Sequence, residues 1–513
     1  MIATRLGAPG ATVNNKARPD VTLLLEGTYP YTRGGVSSWV HDLLAGLPDI
    51  TFSLVSLGAR RPSGEETPYY QVPANVCAIH RHFLMDEKAT RALPCPGDKA
   101  YFVANSILHD WFARPNETLD NAVFSSAVLQ SGRSAQRCAQ EFFHSEAAWS
   151  FMLSRYAQAC PDESLLAYFW AVRNSHGPLI RLAEIARAIP SSGVYHAVST
   201  GYAGLLGAML HRTHGRPLVL TEHGIYTKER KIELLSLYLH EKQSYLDEVP
   251  AGGLEYNQAL WLRMFEGIGR LTYEAANPII SLYEQNRQRQ IGDGADAART
   301  RVIPNGVDIA RYAPLRAMRP QAIPHVLGLI GRIVPIKDIK TFIRAIHALA
   351  VTIPDVEGWL IGPEDEDPAY ANECHELVRT LQLEKHIKFM GFQRIENVLP
   401  RLGLLVLTSI SEAFPLVIGE SYASGLPVLT TDVGACRDLV EGSGPEDRAL
   451  GSGGRVVPIF APGALARAAF EMLSDPACWH AAQRAGIARV ERYYRQSSVI
   501  DAYRALYQSM EVA

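Results

Sequence analysis

Four charged side chains in the second half of the chain have the types and spacing needed for chemistry at a phosphate–sugar bond. Glu412 and Glu420 stand eight positions apart in SEAFPLVIGE, and Arg332 and Lys337 five apart in LIGRIVPIKD. Two cations on one loop would neutralise the charge that develops on a diphosphate leaving group as a glycosidic bond breaks. Between the carboxylates, Phe414 and Pro415 form a turn, and Pro415 suits the first turn of a helix. The amides around Leu416 and Val417 then form a free helix N-terminus, a natural anion site. One carboxylate would hold sugar hydroxyls on one side of a bound phosphate, and the other ribose hydroxyls on its far side. Spacing alone does not select this arrangement, because two solvated or helix-capping glutamates, like surface cations on a connecting loop, are the commoner case. The conjunction of the two pairs favours the chemical reading.

These residues need elements to position them. VTLLLEG (21–27) reads as an apolar strand, followed by the glycine-bearing loop TYPYTRGGVSSW, a helical pattern through Leu47 and a second strand, FSLVSLG (52–58). That order starts a parallel α/β sheet. From about 60 to 190, long amphipathic stretches without strands predict a helical insertion. The alternation resumes with VYHAVS (194–199), PLVLTEHG (217–224), more helix from about 228 to 275, and PIISLY (278–283), and RVIPNGVD (301–308) has the Pro and Asn-Gly chemistry of a hinge. In the second half HVLGLIGR, EGWLIG, IKFMGF, LLVLTS, LPVLTT and GRVVP are strand candidates, most of them separated by helical patterns, which predicts a second doubly wound α/β domain. SEAFPLVIGE follows LLVLTS, so its carboxylates fall at the carboxyl edge of the sheet, where open α/β folds bind ligands.

Composition excludes several other classes. A chain of 513 residues with 47% hydrophobic side chains is long enough for two or three cores. Its 50 basic and 53 acidic residues, without a basic stripe, give no nucleic-acid footprint. No apolar run approaches the ~18–20 residues that span a bilayer, and the first twenty residues lack the apolar core of a signal peptide, so a cytoplasmic chain with no direct membrane insertion is expected. Seven scattered cysteines without a C-x-x-C pair predict reduced thiols, with neither a disulfide framework nor a zinc site.

The stretches GRIVPIK, SEAFPLVIGE, ASGLPVLTTDVGACRDLV and VIPNGVD together resemble the retaining glycosyltransferases of family GT4. EGTYPYTRGGVSSWVHDL and TEHGIYTKERKIELL are similar to the narrower PelF group of that family. The resemblance implies a GT-B fold, α/β, with two Rossmann-like domains facing a central cleft. The expected parts are a polar tail at 1–20, an acceptor-side domain at 21–310 carrying the insertion, a nucleotide-sugar domain at 311–485, and helices at 486–513 that cross back to the N-terminal domain. It implies that Arg332 and Lys337 bind the donor diphosphate, Glu412 the transferred sugar and Glu420 the ribose, with the backbone at Phe392 and Gln393 holding the base. Gly34 and Gly35 match a glycine loop near the phosphates or acceptor, and His223 a histidine near the donor sugar, against the alternative of a satisfied core histidine. His196 reads as structural.

The implied donor is UDP-glucose or a UDP-N-acetylhexosamine, the acceptor a polysaccharide, and the partners inner-membrane synthase proteins. Asp438, where the family more often has glutamate, and Ala435, in place of a glycine, are mild departures that leave sugar selectivity open. Lys228 and Arg230 have no counterpart in most of the superfamily. Asp365 and Asp367 in PEDEDP form a D-x-D that suits Mg or Mn in other enzymes, but an acidic surface loop is the ordinary explanation, and no metal or other cofactor is expected. The rival readings are a nucleotide-sugar epimerase of the same fold and a non-catalytic subunit of a membrane synthase complex.

Overall fold

The computed structural model describes residues 18–27, 29–64, 66–85, 95–114, 117–159, 164–232 and 256–511. Part of the helical pattern expected near 228–275, most of the tail at 1–20 and Cys160 lie outside them. The chain forms two compact units, one of Met1–Val302 with Arg504–Ala513 and one of Ile303–Tyr503.

Unit 1 is built on a seven-stranded parallel sheet. Its strands are β1 (Val21–Glu26), β2 (Phe52–Gly58), β3 (Val76–Phe83), β4 (Val194–Ala197), β5 (Leu218–Glu222), β6 (Ile279–Ser281) and β7 (Thr300–Val302). The spatial order is β3-β2-β1-β4-β5-β6-β7, so the winding reverses between β1 and β4. β1, β4 and β5 are apolar runs with almost every residue buried, as expected of a parallel sheet covered on both faces. Helix Tyr202–His214 lies close against the sheet: a Cβ at Gly207 would stand 2.6 Å from the Leu218 side chain. The helix ends at Gly215 in the left-handed region, φ 64°, a position that favours glycine.

The insertion carries a core of its own, with Tyr101, Phe102, Phe142, Phe151 and Tyr168 from helices Lys99–Phe112, Ala135–His144, Glu146–Ala159 and Leu165–Ala188. The expectation of no strand between 60 and 190 is corrected by β3, which pairs with β2 along its length. VCAIHRHF has basic or histidine side chains on both faces and is half-buried, so neither an alternating nor an apolar run marks it. The end of helix Gln496–Glu511 belongs to unit 1, where the Tyr507 hydroxyl bonds His196 Nδ1 at 2.6 Å and Arg504 pairs with Asp49.

Unit 2 repeats the winding with six parallel strands. They are β8 (Val326–Ile330), β9 (Glu357–Ile361), β10 (Ile387–Gly391), β11 (Leu404–Leu407), β12 (Val428–Thr431) and β13 (Gly454–Val457), in the order β10-β9-β8-β11-β12-β13. All six strand candidates of the second half are present. The reversal lies between β8 and β11, which places the loops after these strands at the switch point where doubly wound sheets bind ligands. Arg489, fully buried, donates to Asp447 Oδ1 at 2.6 Å and to the Val440 and Gly451 carbonyls, so the buried charge is matched on several sides. Both units are Rossmann-like, as the fold class expected.

Candidate functional site

In unit 2 the loop after β8 is pinned by its apolar residues. Ile333 and Val334 are buried, while Arg332 is exposed and Lys337 half-buried. Asp338 takes a left-handed conformation, φ 46°, and its carboxylate accepts from the Thr341 amide at 3.2 Å, capping helix Ile339–Ala350. The loop is joined to the one after β11: Thr408 Oγ1 donates to the Lys337 carbonyl at 2.7 Å, and the Ile410 amide to the Ile336 carbonyl at 2.8 Å. These bonds bring the Lys337 ammonium onto Glu412 Oε1, which also accepts from Ser409 Oγ at 2.6 Å.

The end of β12 supports this loop from behind. Thr431 Oγ1 donates to the Ser409 carbonyl at 2.6 Å and the Ala435 amide to the Ala413 carbonyl at 2.8 Å. Gly434, φ 55°, passes so close that a Cβ there would stand 2.2 Å from the Glu412 carbonyl oxygen. Glutamate and lysine are thus held as a charge-assisted pair on a stapled frame, and both keep partial access to solvent.

Helix Leu416–Ala423 follows. Pro415 occupies the N-cap rather than the first turn where the sequence reading put it; a proline offers no side-chain acceptor, and the helix has no side-chain cap and no acid in its first turn. The amides of Leu416 and Val417 therefore open a positive helix end beside Glu412 in sequence. Glu420, in the second turn, accepts from the Tyr312 hydroxyl at 2.9 Å, and the Phe414 ring stands edge-on to Tyr494 at 5.6 Å. Of the four expected charges, the structure joins Lys337 to Glu412 directly. Arg332 pairs instead with Glu366 of PEDEDP.

The rest of that acidic loop also has protein partners. Asp367 Oδ1 accepts from the Tyr370 amide at 3.0 Å and caps helix Pro368–Thr380, and Glu364 bonds His375 Nε2 at 2.7 Å. Asp365 lies between them. Among the described residues no group of three or more His, Cys, Asp or Glu side chains is placed to hold a metal ion. Phe392 and Gln393 follow β10 after Gly391, φ 59°; the Phe392 ring is 63% exposed, and Gln393 Nε2 donates to the Met390 carbonyl at 2.8 Å.

In unit 1, Gly34 is extended and exposed, with open space where a side chain would stand, and Gly35 begins helix Gly35–Gly46 without a side-chain cap. His223, just past β5, is buried against Trp39 at 4.5 Å between ring centres, and its Nε2 has no hydrogen-bond partner among the described residues. Burial pushes its imidazole down to about 3, so the ring is neutral at pH 7. His196 is also pushed to about 3 by burial, but both its nitrogens are bonded, to Tyr507 and to Thr221 Oγ1 at 2.8 Å, as a structural histidine requires.

Sequence reasoning missed the carboxylates beside them. Glu26 ends β1 and accepts from the Tyr226 hydroxyl at 3.1 Å, Ser199 Oγ at 3.4 Å and the Ala203 amide at 3.3 Å. Glu222 ends β5 and accepts from Thr200 Oγ1 at 2.8 Å, the Tyr273 hydroxyl at 2.8 Å, Gln290 Nε2 at 3.0 Å and the Tyr226 amide at 3.2 Å. Burial raises both carboxyls above the ordinary range. Arg230 lies over the Tyr226 ring at 5.3 Å, and Lys228 is exposed. A glutamate closing an apolar strand was the available signal.

Residues 19–298, more than half of the chain, match the family described as Domain of unknown function (DUF3492), and the chain belongs to that family. Residues 324–475, the body of unit 2, match Glycosyl transferases group 1. Among curated relatives, a D-inositol 3-phosphate glycosyltransferase of Kineococcus radiotolerans is 30% identical over 40% of this chain and 51% of its own length. A phosphatidyl-myo-inositol mannosyltransferase of Mycolicibacterium smegmatis is 30% identical over 42% and 54%. The matches thus span about half the length of these relatives. Among solved structures, HepE of Anabaena in complex with UDP aligns over 95% of this chain and 99% of its own, with TM-score 0.58 and 17% identity. Sucrose-phosphate synthase from Thermosynechococcus elongatus aligns over 95% and 98%, with TM-score 0.56 and 17% identity. At such identity the likeness is one of fold. Among the described residues no helix is long and apolar enough to cross a membrane.

Proposed function

We propose that the chain is a retaining glycosyltransferase of the GT4 kind, moving a hexosyl or N-acetylhexosaminyl unit from a UDP-sugar to a growing exopolysaccharide, as in the PelF group. The observation that carries the reading is the Lys337–Glu412 pair, held by Ser409 at the switch point of unit 2. The group 1 match over the same residues supports it, and the complexes of HepE with UDP and UDP-glucose support the choice of nucleotide.

In the proposed mechanism the diphosphate lies against Lys337, Arg332 and the amides of Leu416 and Val417. The bond from the anomeric carbon to the phosphate oxygen breaks, and its electron pair stays on the departing diphosphate. Lys337 and Arg332 stabilise that charge, which is larger in the transition state than in the ground state. The acceptor hydroxyl arrives on the face the phosphate leaves, forms the new bond to the anomeric carbon and gives its proton to a leaving phosphate oxygen, so configuration is kept without a strong protein base. Glu412 holds hydroxyls of the transferred sugar and Glu420 those of the ribose. The backbone at Phe392 and Gln393 approaches the base. The positive charges already present make a metal unnecessary, and association with inner-membrane synthase proteins supplies the acceptor.

The purified chain should be incubated with UDP-, GDP- and ADP-sugars and oligosaccharide acceptors, before and after EDTA, with the product's anomeric configuration read by NMR. Transfer from a UDP-sugar, with retained configuration and undiminished by the chelator, is expected. Absence of transfer from every donor, or an inverted product, contradicts the proposal; activity lost to EDTA and restored by Mn or Mg reopens the role of Asp365 and Asp367.

A further inference from the structure

The helical insertion buries one side of its helices and leaves the other side apolar. Helices Lys99–Phe112, Glu146–Ala159 and Leu165–Ala188 turn Tyr101, Phe102, Phe151, Met152 and Tyr168 into the insertion's own core. On the outer side Val103 and Ile107, Trp149 and Leu153, and Leu166 and Trp170 stand in pairs four positions apart, neighbours on one helix face, and are 38–66% exposed. The pairs share one surface. Arg155 joins the second helix to the first, its Nη1 meeting Asp110 Oδ1 at 2.5 Å, and the second helix meets the third through the rings of Trp149 and Phe169, 6.4 Å apart, and of Tyr156 and Tyr168, 5.6 Å apart. The exposed parts of the six side chains sum to roughly 600 Å², the upper end of the largest apolar patch on a monomer and near the ~800 Å² each partner gives to a standard interface.

The surface is also nearly without charge. Beside Trp149 and Leu153 the exposed positions of the second helix are Ser150, Ser154, Ala157 and Gln158, with Glu146 at the rim. Arg155 is paired with Asp110, and the Arg173 guanidinium lies over the rings of Phe143 at 4.3 Å and Trp170 at 5.8 Å. We infer that this face of the insertion is where two copies of the chain pair. A face of one sign cannot be laid on its own copy without like charges meeting, whereas a neutral face can. Its pattern suits a two-fold axis as well. Leu153 and Leu166 lie toward the junction of the second and third helices, and Trp149 and Trp170 one turn further from it, so a copy turned by 180° sets the tryptophans of each chain on the leucines of the other. Indole rings at a desolvated centre, with charge kept to the rim, match the anatomy of stable interfaces.

The test is sedimentation velocity of the whole chain between about 1 and 100 μM, where pairing with a dissociation constant of about 10 μM or less is read directly. The wild type should reach twice the mass of the 56.5 kDa chain in the upper part of that range. Leu166→Glu, at the most exposed of the six positions, should weaken pairing about thirtyfold or more, because it buries a carboxylate without a partner. Trp149→Glu with Trp170→Glu should give a monomer throughout. Val351→Glu, at a 79% exposed apolar residue of unit 2, should leave the dissociation constant within about twofold. Thermal melts accompany each variant, and Leu166→Glu carries the test if the double variant melts early. A wild type that stays monomeric at the highest concentration overturns the inference, including one that sediments with lipid vesicles instead. So does a dimer that survives Leu166→Glu and the double substitution, or one that Val351→Glu breaks equally well.

Discussion

The two units wind their sheets in the same sense and reverse at the same place, yet they use the carboxylates there in opposite ways. In unit 1, Glu222 ends its strand under four donors from four separated parts of the chain, and Glu26 under three. In unit 2, the bonds to Glu412 come from the half-buried Lys337 ammonium and the buried Ser409 hydroxyl. A carboxylate satisfied wholly by buried hydroxyls, amides and side-chain amides holds loops in register; one that shares its charge with a half-buried ammonium can exchange that partner for a ligand. One fold therefore makes a closed switch point and an open one, and the difference lies in where the donors come from.

The sharpest way to break this comparison is Lys337→Ala. On this account it removes a charge-assisted contact formed most strongly as the phosphate departs, and turnover should fall about 10²–10³-fold, with the melting temperature nearly unchanged. Steady-state kinetics beside thermal melts checks it; a large loss of stability at constant kcat would make Lys337–Glu412 a structural pair like those of unit 1.

The converse prediction concerns Glu222→Ala, which leaves Thr200, Tyr273 and Gln290 buried without their acceptor and should cost about 1–3 kcal/mol of stability. Glu222→Gln adds a pH signature. Because the folded carboxyl is raised above its unfolded value, its contribution is fully present below the ordinary carboxylate pKa and is lost as pH rises through the folded one. The wild type's resistance to urea should therefore fall over that rise, and the Gln variant should lose that part of the slope. Identical pH profiles in the two proteins would contradict the burial effect.

What could be read beforehand follows the same division. The six strands of unit 2 and the placing of Lys337 and Glu412 on loops at one sheet edge were legible, because apolar runs, Pro415 and closely spaced charges are local signals. β3 was not, since an edge strand carrying His80, Arg81 and His82 buries too little on either face to show a period. The Glu26 and Glu222 networks were not either: Glu26 meets Ser199 and Tyr226 across 173 and 200 positions, and no local pattern reports such partners. For the same reason Arg332 was placed beside Lys337 on its loop, while its pairing with Glu366 emerged from the fold.

That pairing gives the smallest expected effect. Glu366 is half-exposed and competes for the guanidinium assigned to the diphosphate; Glu366→Gln should tighten nucleotide binding about two- to fivefold, in line with the modest worth of an exposed ion pair. Titration at low and high salt checks it, with the gain shrinking as salt rises. Weaker binding in Glu366→Gln would mean that the pair holds Arg332 in place instead of competing for it.

Hydrogen exchange with and without UDP tests the central contrast most directly. The account predicts that UDP protects amides at 331–338 and 409–420, the loops and helix end at the switch point of unit 2, and leaves those at 199–204 and 222–226 in unit 1 unchanged. Protection confined to 199–204 and 222–226, with 331–338 and 409–420 exchanging as before, would contradict it.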